Sequence, residues 1–439
     1  MAVACATSGR ARKAERADRM KPLDVLMPAA GMGVVADLIV ERLPLHRLWL
    51  EPDPEAWLAK HGPAIRAIAS AGGHGRIDEA LMRRLPKLEI VASFGVGYDH
   101  IDARWAGENG IIVTHTPGVL DDEVADVAMG LTIMAVRRLP QAERYLRAGQ
   151  WLKASFPLTA SLRGRTMGIL GLGRIGKAIA HRAEAFGLSV VYHGRHAQPD
   201  VSYRFYPTLT GMAEACDILM VTAPGGSETR HIVNAEVLRA LGPDGVLVNI
   251  ARGSLVDEQA VIEALRSGAI LAAGLDVFDN EPKVPTALIA LDNVVLLPHV
   301  GSASVKTRHA MAQCLLDNLL AWSEDKPPLT PVRETPWRGA WGATGARRSA
   351  IAAAAEDKTA RISAVVDIMK DLWDLPADCN EGELFAYAEQ LCDRILAGES
   401  RDGLYAFLAN VQGKSLEIPA SDASRAIVDR SLDLIGASM

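Results

Sequence analysis

Short apolar runs alternate with amphipathic helical stretches from residue 24 to residue 322. Runs that are apolar throughout are typical of strands buried on both faces of a parallel sheet, and the helical stretches between them are typical of crossover connections. The pattern therefore predicts an α/β fold with two doubly wound parallel sheets, divided near residue 120. The predicted strands are DVLMP (24–28), EIVASFG (89–95), IIVTHTP (111–117), MGILGLG (167–173), SVVYHG (189–194), ILMVTAP (218–224), GVLVNIA (245–251), AILAAGLDV (269–277) and NVVLLPH (293–299).

The composition changes on both sides of this α/β region. Residues 1–20 are rich in arginine and lack an apolar stretch, so they are predicted to be a disordered lead-in and not a secretory signal. Residues 326–350 are rich in proline and glycine and are predicted to form a linker. Residues 351–439 contain apolar residues at helical spacing and no convincing strand, which predicts a C-terminal all-α extension.

Charge, hydropathy and cysteine spacing argue against several classes of protein. The 439-residue chain has a net charge of −6, which offers no general attraction for nucleic acid or anionic lipid. No apolar run approaches the ~18–20 residues of a membrane-spanning helix. The five cysteines include no CxxC pair, so neither a disulfide framework nor a zinc site is predicted. We expect a cytoplasmic protein that binds no metal, nucleic acid or membrane.

The sequence GLGRIG follows one predicted strand and begins a helical stretch. Gly171 permits a tight turn, Gly173 allows a pyrophosphate to approach the backbone, and Gly176 allows helix and strand to pack closely. The helix N-terminus then offers N–H groups and a positive dipole to the anion. The second unit is therefore predicted to be a Rossmann domain that binds a dinucleotide.

The residues after the next strand bear on the choice of dinucleotide. An NAD site has an acidic residue about 20 positions after the glycines, where it binds the ribose 2′-hydroxyl. Here Gly194, Arg195 and His196 occupy this region, and the first acid, Asp200, comes later. A guanidinium can bind a 2′-phosphate that a carboxylate would repel. We predict that NADP(H) is the preferred cofactor and that NAD(H) is possible.

Three ionisable residues follow strands of the second unit: Arg252, Glu281 and His299. In doubly wound sheets, ligands bind in the crevice outside the carboxyl ends of the strands. Arginine can bind a substrate carboxylate, histidine can donate a proton near neutral pH, and a paired glutamate can favour and orient the imidazolium. This combination predicts the reduction of a 2-oxo acid.

Residues from about 21 to 325 resemble the D-isomer-specific 2-hydroxyacid dehydrogenases. The resemblance implies a flavodoxin-like substrate-binding and catalytic domain formed by residues 21–120 and 299–325. It also implies an NAD(P)-binding Rossmann domain formed by residues 121–298. The motifs that carry the resemblance are SFGVGYDHID (93–102), TPGVLDDEVADVAMGL (116–131), GLGRIG (171–176), VNIARGSLVDEQAV (248–261), LDVFDNEP (275–282) and LPHVGSAS (297–304).

The resemblance implies roles for individual residues. Arg252, Glu281 and His299 would be the catalytic triad, and the backbone N–H groups of Val96 and Gly97 would bind the substrate carboxylate together with Arg252. Among the cofactor residues, one aspartate would hold the nicotinamide carboxamide. The residues implied around the cofactor are Leu172, Gly173, Arg174, Ile175, Arg195, His196, Ala223, Pro224, Thr229, Ile250, Ala251, Asp276 and Gly301.

Within this family, an arginine in place of the acid resembles the NADPH-preferring glyoxylate and hydroxypyruvate reductases. The resemblance also implies a homodimer, with residues 151–158 near the partner subunit. Two other functions stay open: an NAD-dependent D-2-hydroxyacid or phosphoglycerate-type dehydrogenase, and a dinucleotide-sensing interaction protein. Arg195 argues against the first of these, and the complete triad argues against the second. The helical extension resembles no part of the family.

Overall fold

The computed structural model describes residues 23–72, 75–337, 362, 365–370, 372, 381–396, 400–411 and 423–435. The α/β region and the C-terminal helices form separate compact units, with the main division between Gly339 and Ala340. The predicted lead-in and residues 338–350 of the predicted linker lie outside the described residues.

The first sheet consists of short parallel strands with buried, mostly apolar residues. Its strands are β1 (Val25–Met27), β2 (Leu45–Arg47), β3 (Ala67–Ser70), β4 (Ile90–Ser93) and β5 (Ile112–Thr114). They pair in the order β2-β1-β3-β4-β5, which is the flavodoxin-like order. The helices between them are α1 (Gly33–Val40), α2 (Pro54–His61), α3 (Glu79–Arg83) and α4 (Ala103–Glu108).

The second sheet is also fully parallel. Its strands are β6 (Thr166–Leu170), β7 (Ser189–His193), β8 (Arg204–Phe205), β9 (Ile218–Val221), β10 (Val246–Asn249), β11 (Ala272–Leu275) and β12 (Val294–Leu296). The order β12-β11-β10-β9-β6-β7-β8 is the Rossmann order with one further strand, β12, at the edge. The order of connection reverses between β6 and β9, which is where a crevice for a ligand is expected.

The helices of the second sheet complete its two layers. They are α5 (Asp121–Arg137), α6 (Leu139–Arg147), α7 (Arg174–Ala185), α8 (Leu209–Glu214), α9 (Ala235–Leu241), α10 (Glu258–Ser267) and α11 (Thr286–Ile289). Helix α5 packs against strands β10 to β12, whereas α12 (Val305–Ser323) packs against α1 and β4 of the first sheet. The chain therefore passes to the second sheet before α5 and returns to the first before α12.

The prediction of a linker is wrong for residues 326–337, because these residues pack against the first sheet. Val332 is buried in the core beside β5, and Pro331 forms a β-bridge with Thr114. The hydroxyl of Thr335 donates to the carbonyl of Val113 at 3.1 Å and accepts from its N–H at 2.9 Å. The first domain thus extends beyond residue 325, and we call residues 326–337 the strap.

The described part of the C-terminal extension is helical, as predicted. Its labelled helices are α13 (Glu381–Leu396), α14 (Arg401–Asn410) and α15 (Ala423–Ile435). Residues 365–370 are also helical. Val365, Leu391, Leu408 and Val428 are buried together in a core of their own, which accounts for the helical spacing of apolar residues in this region. The predicted fold class, two doubly wound parallel sheets and a helical extension, is confirmed.

Candidate active site

The predicted functional residues follow strands of both sheets. In the second domain, β6 leads into the glycine turn, and β10, β11 and β12 lead into Arg252, Asp276 and His299. In the first domain, β4 leads into a turn that contains Val96 and Gly97. The two sets meet, since Gly97 lies directly against the guanidinium of Arg252.

Two glycines of the glycine turn have no room for a side chain, and the third faces open space. Gly171 has a φ of +96°, and a Cβ there would lie 2.7 Å from the backbone of Ala223 at the end of β9. A Cβ at Gly176 would lie 2.5 Å from the carbonyl oxygen of Gly171. A Cβ at Gly173 would meet no atom within 4 Å, and no side chain caps helix α7 at this residue. The helix N-terminus therefore has room for an anion beside its N–H groups.

The loop after β7 carries Arg195 and His196 and is tied to the glycine turn. Arg195 and His196 are both exposed, and neither forms a hydrogen bond or ion pair with another described residue. Gln198 fixes the loop, because its side-chain amide donates to the carbonyl of Leu172 at 2.8 Å and its backbone N–H donates to the hydroxyl of Tyr192 at 2.6 Å. A guanidinium without an internal partner thus lies on a loop tied to the glycine turn.

A closed turn after β10 holds the backbone of Arg252. The side chain of Asn249 is 1% exposed, and its amide donates to the carbonyl of Arg252 at 2.9 Å. The side-chain oxygen of Asn249 accepts from the N–H of Ala251 at 3.0 Å. The Arg252 guanidinium in turn donates to the carbonyl of Ala251 at 2.7 Å. These hydrogen bonds hold the guanidinium at the carboxyl end of the strand.

Asp99 of the first domain orients the Arg252 guanidinium across the site. The Nε of Arg252 donates to Oδ1 of Asp99 at 2.8 Å. Burial alone would raise the pKa of the Asp99 carboxyl, but the charge and hydrogen bond of Arg252 lower that pKa. A Cβ at Gly97 would lie 1.8 Å from Nη2 of Arg252, so any larger residue there would displace the guanidinium. One face of the guanidinium is therefore fixed against the turn that follows β4.

His299 and Glu281 form a hydrogen-bonded pair. The Nδ1 of His299 lies 2.7 Å from Oε2 of Glu281, and the other carboxylate oxygen accepts from the N–H of Phe278 at 2.9 Å. Burial alone would raise the pKa of Glu281, but the hydrogen bonds from His299 and Phe278 and the charges of His299 and Arg252 hold that pKa below its usual range. The pairing leaves Nε2 of the half-exposed imidazole available to a ligand.

Asp276 holds the turn that carries His299. Its carboxylate is 1% exposed and accepts from the backbone N–H groups of Val300 at 2.7 Å and Gly301 at 2.8 Å. Burial raises the pKa of Asp276 despite these two hydrogen bonds. His299 has a left-handed φ of +54°, and its N–H donates to the carbonyl of Asp276 at 2.8 Å. The imidazole is therefore presented by a tightly bonded backbone turn.

The remaining residues predicted around the cofactor occupy the same end of the second sheet. The hydroxyl of Thr229 donates to the carbonyl of Pro224 at 2.8 Å, which closes the loop after β9. Arg174 lies 3.3 Å from Asp121, so this guanidinium is paired within the protein. Ile175 lies in the first turn of α7 and is partly buried. The others follow strand ends and are buried: Leu172, Ala223, Ile250 and Ala251.

Comparison with known proteins decides the family. Residues 129–301 match the D-isomer specific 2-hydroxyacid dehydrogenase, NAD binding domain. The chain is 47% identical to glyoxylate/hydroxypyruvate reductase A of Arabidopsis thaliana over 313 residues, which span 71% of this chain and all of the relative. The chain belongs to the D-isomer specific 2-hydroxyacid dehydrogenases. The sequence prediction of this family, and of an oxidoreductase, is confirmed.

Two further similarities bear on the dehydrogenase. It is 45% identical to hydroxyphenylpyruvate reductase of Plectranthus scutellarioides, again over 71% of this chain and all of the relative. A crystal structure of NADPH-dependent glyoxylate/hydroxypyruvate reductase from Sinorhizobium meliloti, in complex with NADP and malonate, matches with a TM-score of 0.68 and 48% identity. The match covers 73% of this chain and all of that one. The rest of the dehydrogenase chain therefore has no counterpart in these proteins.

The described residues of the dehydrogenase contain no group of three His, Cys, Asp or Glu side chains that could hold a metal ion. None of their helices is long and apolar enough to cross a membrane.

Sequence reasoning missed Asp99 and Asn249, which both act on Arg252. Asn249 directly follows the apolar core of a predicted strand, and its burial at the strand end is a signal that could have identified it. Asp99 is separated from Arg252 by 153 residues, and nothing in the local sequence links the two. This contact required the two domains of the dehydrogenase to be placed together.

Proposed function

We propose that the protein is an NADPH-dependent reductase that converts a small 2-oxo acid to the D-2-hydroxy acid. The observation that carries the proposal is the Glu281–His299 pair, joined at 2.7 Å, beside a guanidinium held over Gly97. The pair can deliver a proton, and the guanidinium with the adjoining turn can bind a carboxylate. Both lie at the same end of the sheet as the glycine turn.

The residues present fit a dinucleotide. The open space above Gly173 and the uncapped start of helix α7 suit the pyrophosphate. The family resemblance implies that Thr229 and Pro224 border the adenosine and that Asp276 holds the nicotinamide carboxamide. When bound, NADPH supplies the hydride for the oxo carbon. The protein's own groups position the substrate and supply the proton.

Two groups would bind the substrate carboxylate. The N–H groups of Val96 and Gly97 lie in the turn after β4, and Arg252 lies directly against this turn. A carboxylate held by backbone N–H groups and a guanidinium forms charge-assisted hydrogen bonds. The same guanidinium would polarise the oxo group and stabilise the negative charge that develops on its oxygen.

His299 would donate the proton that completes the hydroxyl group. Its Nδ1 is occupied by Glu281, which leaves Nε2 to face the substrate oxygen. Because Glu281 stays ionised in this environment, its charge favours the protonated imidazole before transfer and fixes the orientation of the ring.

Arg195 supports NADPH over NADH. A guanidinium on a fixed loop beside the glycine turn suits a ribose 2′-phosphate, and no acid stands in the place that would bind a 2′-hydroxyl. The Sinorhizobium meliloti relative, which is 48% identical, binds NADP in its crystal structure.

We expect the enzyme to act as a cytoplasmic homodimer. Trp151, Leu152 and Leu158 are exposed by 66%, 93% and 101%, and they form part of the segment that the family resemblance implies to lie near a partner. Exposed apolar side chains clustered along one segment are typical of a surface that is covered by another protein. Sedimentation of the purified full chain would establish the number of subunits.

A steady-state survey of 2-oxo acids with both cofactors tests the proposed function. We expect NADPH to support the reduction of glyoxylate and hydroxypyruvate with a higher kcat/KM than NADH does. Hydroxyphenylpyruvate should be included, because a relative of similar identity is named for that substrate. Reduction that is slow with every 2-oxo acid and with both cofactors would contradict the proposal and favour a dinucleotide-sensing protein.

The pH profile of a Glu281→Gln variant tests the proton donor's partner. Glutamine keeps the size and the hydrogen-bonding oxygen of Glu281 but lacks its charge, so the protonated imidazole loses stabilisation. The alkaline fall in kcat for reduction should therefore move to lower pH, while the KM for NADPH stays the same. The measurement is kcat against pH for both proteins, and coincident profiles would reject the pairing.

A further inference from the structure

The strap lies against β5, which pairs with β4, the strand that leads into the turn with Val96 and Gly97. We call this turn the substrate turn. The hydroxyl of Thr330 donates to the carbonyl of His115 at 2.5 Å, and Thr335 is hydrogen-bonded to both backbone groups of Val113. Val332 is 2% exposed between these two anchors. The strap therefore has a fixed register along β5 and cannot shift without losing buried contacts.

This register brings Glu334 to the hydroxyl of Tyr98. The hydroxyl donates to Oε2 of Glu334 at 2.8 Å, and the other carboxylate oxygen accepts from Nε of Arg333 at 2.7 Å. The carbonyl of Glu334 packs closely on Gly107, where a side chain would overlap it. Burial and the hydrogen bond to Glu334 raise the pKa of Tyr98 to about 12, so the hydroxyl keeps its proton and remains a donor.

Tyr98 directly follows the predicted carboxylate-binding residues Val96 and Gly97. Its ring lies edge-on to His115, with 5.6 Å between the centroids. The Nδ1 of His115 lies 3.1 Å from the carbonyl oxygen of Val96. His115 thus contacts both Val96 and Tyr98 of the substrate turn, and Glu334 holds the hydroxyl of Tyr98.

We propose that Glu334 is a positioning residue for the reductase, which fixes through Tyr98 the backbone N–H groups that bind the substrate carboxylate. The inference rests on the proposed function. Hydrogen bonds to a carboxylate depend strongly on donor direction, so a turn that can rotate binds the substrate less well. Among the described residues, no hydrogen bond or ion pair links the strap to the glycine turn, so we expect Glu334 to leave cofactor binding unaffected.

The test compares Glu334→Ala with Glu334→Gln in the full chain. The alanine variant should raise the KM for the 2-oxo acid by about 5- to 20-fold, with kcat and the KM for NADPH close to wild type. Glutamine still accepts a hydrogen bond from Tyr98 and should restore most of the wild-type KM. Glu79→Ala, which removes a surface ion pair with Arg83 on α3, is the control and should change neither constant.

Tyr98→Phe tests whether Glu334 acts through the tyrosine hydroxyl. This variant should raise the KM as much as Glu334→Ala does, and the double variant should show no further increase, because both changes break one hydrogen bond. A double variant whose increase in KM equals the product of the two single-variant increases would overturn the proposal. So would a Glu334→Gln variant as impaired as Glu334→Ala, since the loss would then follow charge and not the contact with Tyr98.

A binding measurement separates this inference from the proposed function. Calorimetry with oxamate, a non-reducible analogue of a 2-oxo acid, on the NADP-loaded enzyme needs no turnover. We expect Glu334→Ala to weaken oxamate binding by the same factor as the KM. If the wild-type enzyme is active and Glu334→Ala leaves the affinity for oxamate unchanged, the inference is overturned but the proposed function is not. A wild-type protein that neither reduces 2-oxo acids nor binds oxamate overturns both.

Discussion

Replacement of His299 by glutamine is expected to lower kcat for reduction of the 2-oxo acid by ~10²–10⁴-fold, the usual contribution of a positioned proton donor. Glutamine can still contact Glu281 but cannot supply a proton to the developing alkoxide. His299 is half-exposed at the end of β12 and does not belong to the buried core, so the variant should fold. NADPH binding, followed by fluorescence titration, should stay near the wild-type affinity.

A second histidine provides the matched control for this prediction. His309 lies on α12 and is exposed, and no part of the proposed mechanism uses it. His309→Gln should therefore leave kcat and both KM values unchanged. If the kcat of His299→Gln stayed within a few-fold of the wild-type value, another group would have to donate the proton.

Strands that are apolar throughout could be predicted from the sequence, whereas shorter strands and strands at a sheet edge could not. Strand β3 (Ala67–Ser70) was missed although it lies within an apolar run, because the run contains small residues that also suit a helix. Strand β2 (Leu45–Arg47) is half-buried at the sheet edge, and β8 (Arg204–Phe205) has two residues. Such segments form strands because a neighbouring strand pairs with them, which no local pattern reveals.

Most of the predicted site residues follow strands of the second sheet. Arg252, Asp276 and His299 all follow strands whose apolar character marks where each ends, so the topology alone brings them to one edge. The contacts that refine the site come from far along the chain. Tyr98 and Glu334 are separated by 236 residues, and only the folded strap brings them together.

The strap also shows why composition misleads about linkers. Prolines from Pro327 to Pro331 favour an extended backbone, but they do not determine whether that backbone is solvated or packed. Here Val332 and Thr335 are buried against β5. A truncation that ends at residue 325 would remove these contacts, so the α/β region is properly bounded after Trp337, before the division that separates the helical extension.

Arg195→Asp is expected to raise the KM for NADPH by roughly 30- to 1000-fold, because it removes a charge-assisted contact and adds repulsion toward the 2′-phosphate. The KM for NADH should change much less, since that cofactor carries a hydroxyl group at the same position. The loop itself should persist, because Gln198 fixes it through Leu172 and Tyr192 and not through Arg195. The measurement is the ratio of kcat/KM for the two cofactors at saturating 2-oxo acid.

The same change of charge elsewhere on the second domain distinguishes a specific contact from a general electrostatic effect. Arg239 is an exposed arginine on α9, and Arg239→Asp alters the net charge by the same amount. Arg239 is not among the residues predicted around the cofactor, and exposed charges that make no direct contact are largely screened at ordinary ionic strength, so this variant should keep the wild-type cofactor ratio. Equal losses of NADPH affinity in both variants would indicate a general effect of net charge and not a specific contact between Arg195 and the 2′-phosphate. A wild-type preference for NADH would exclude this contact directly, because an arginine that binds the 2′-phosphate must favour NADPH, the cofactor that carries this phosphate.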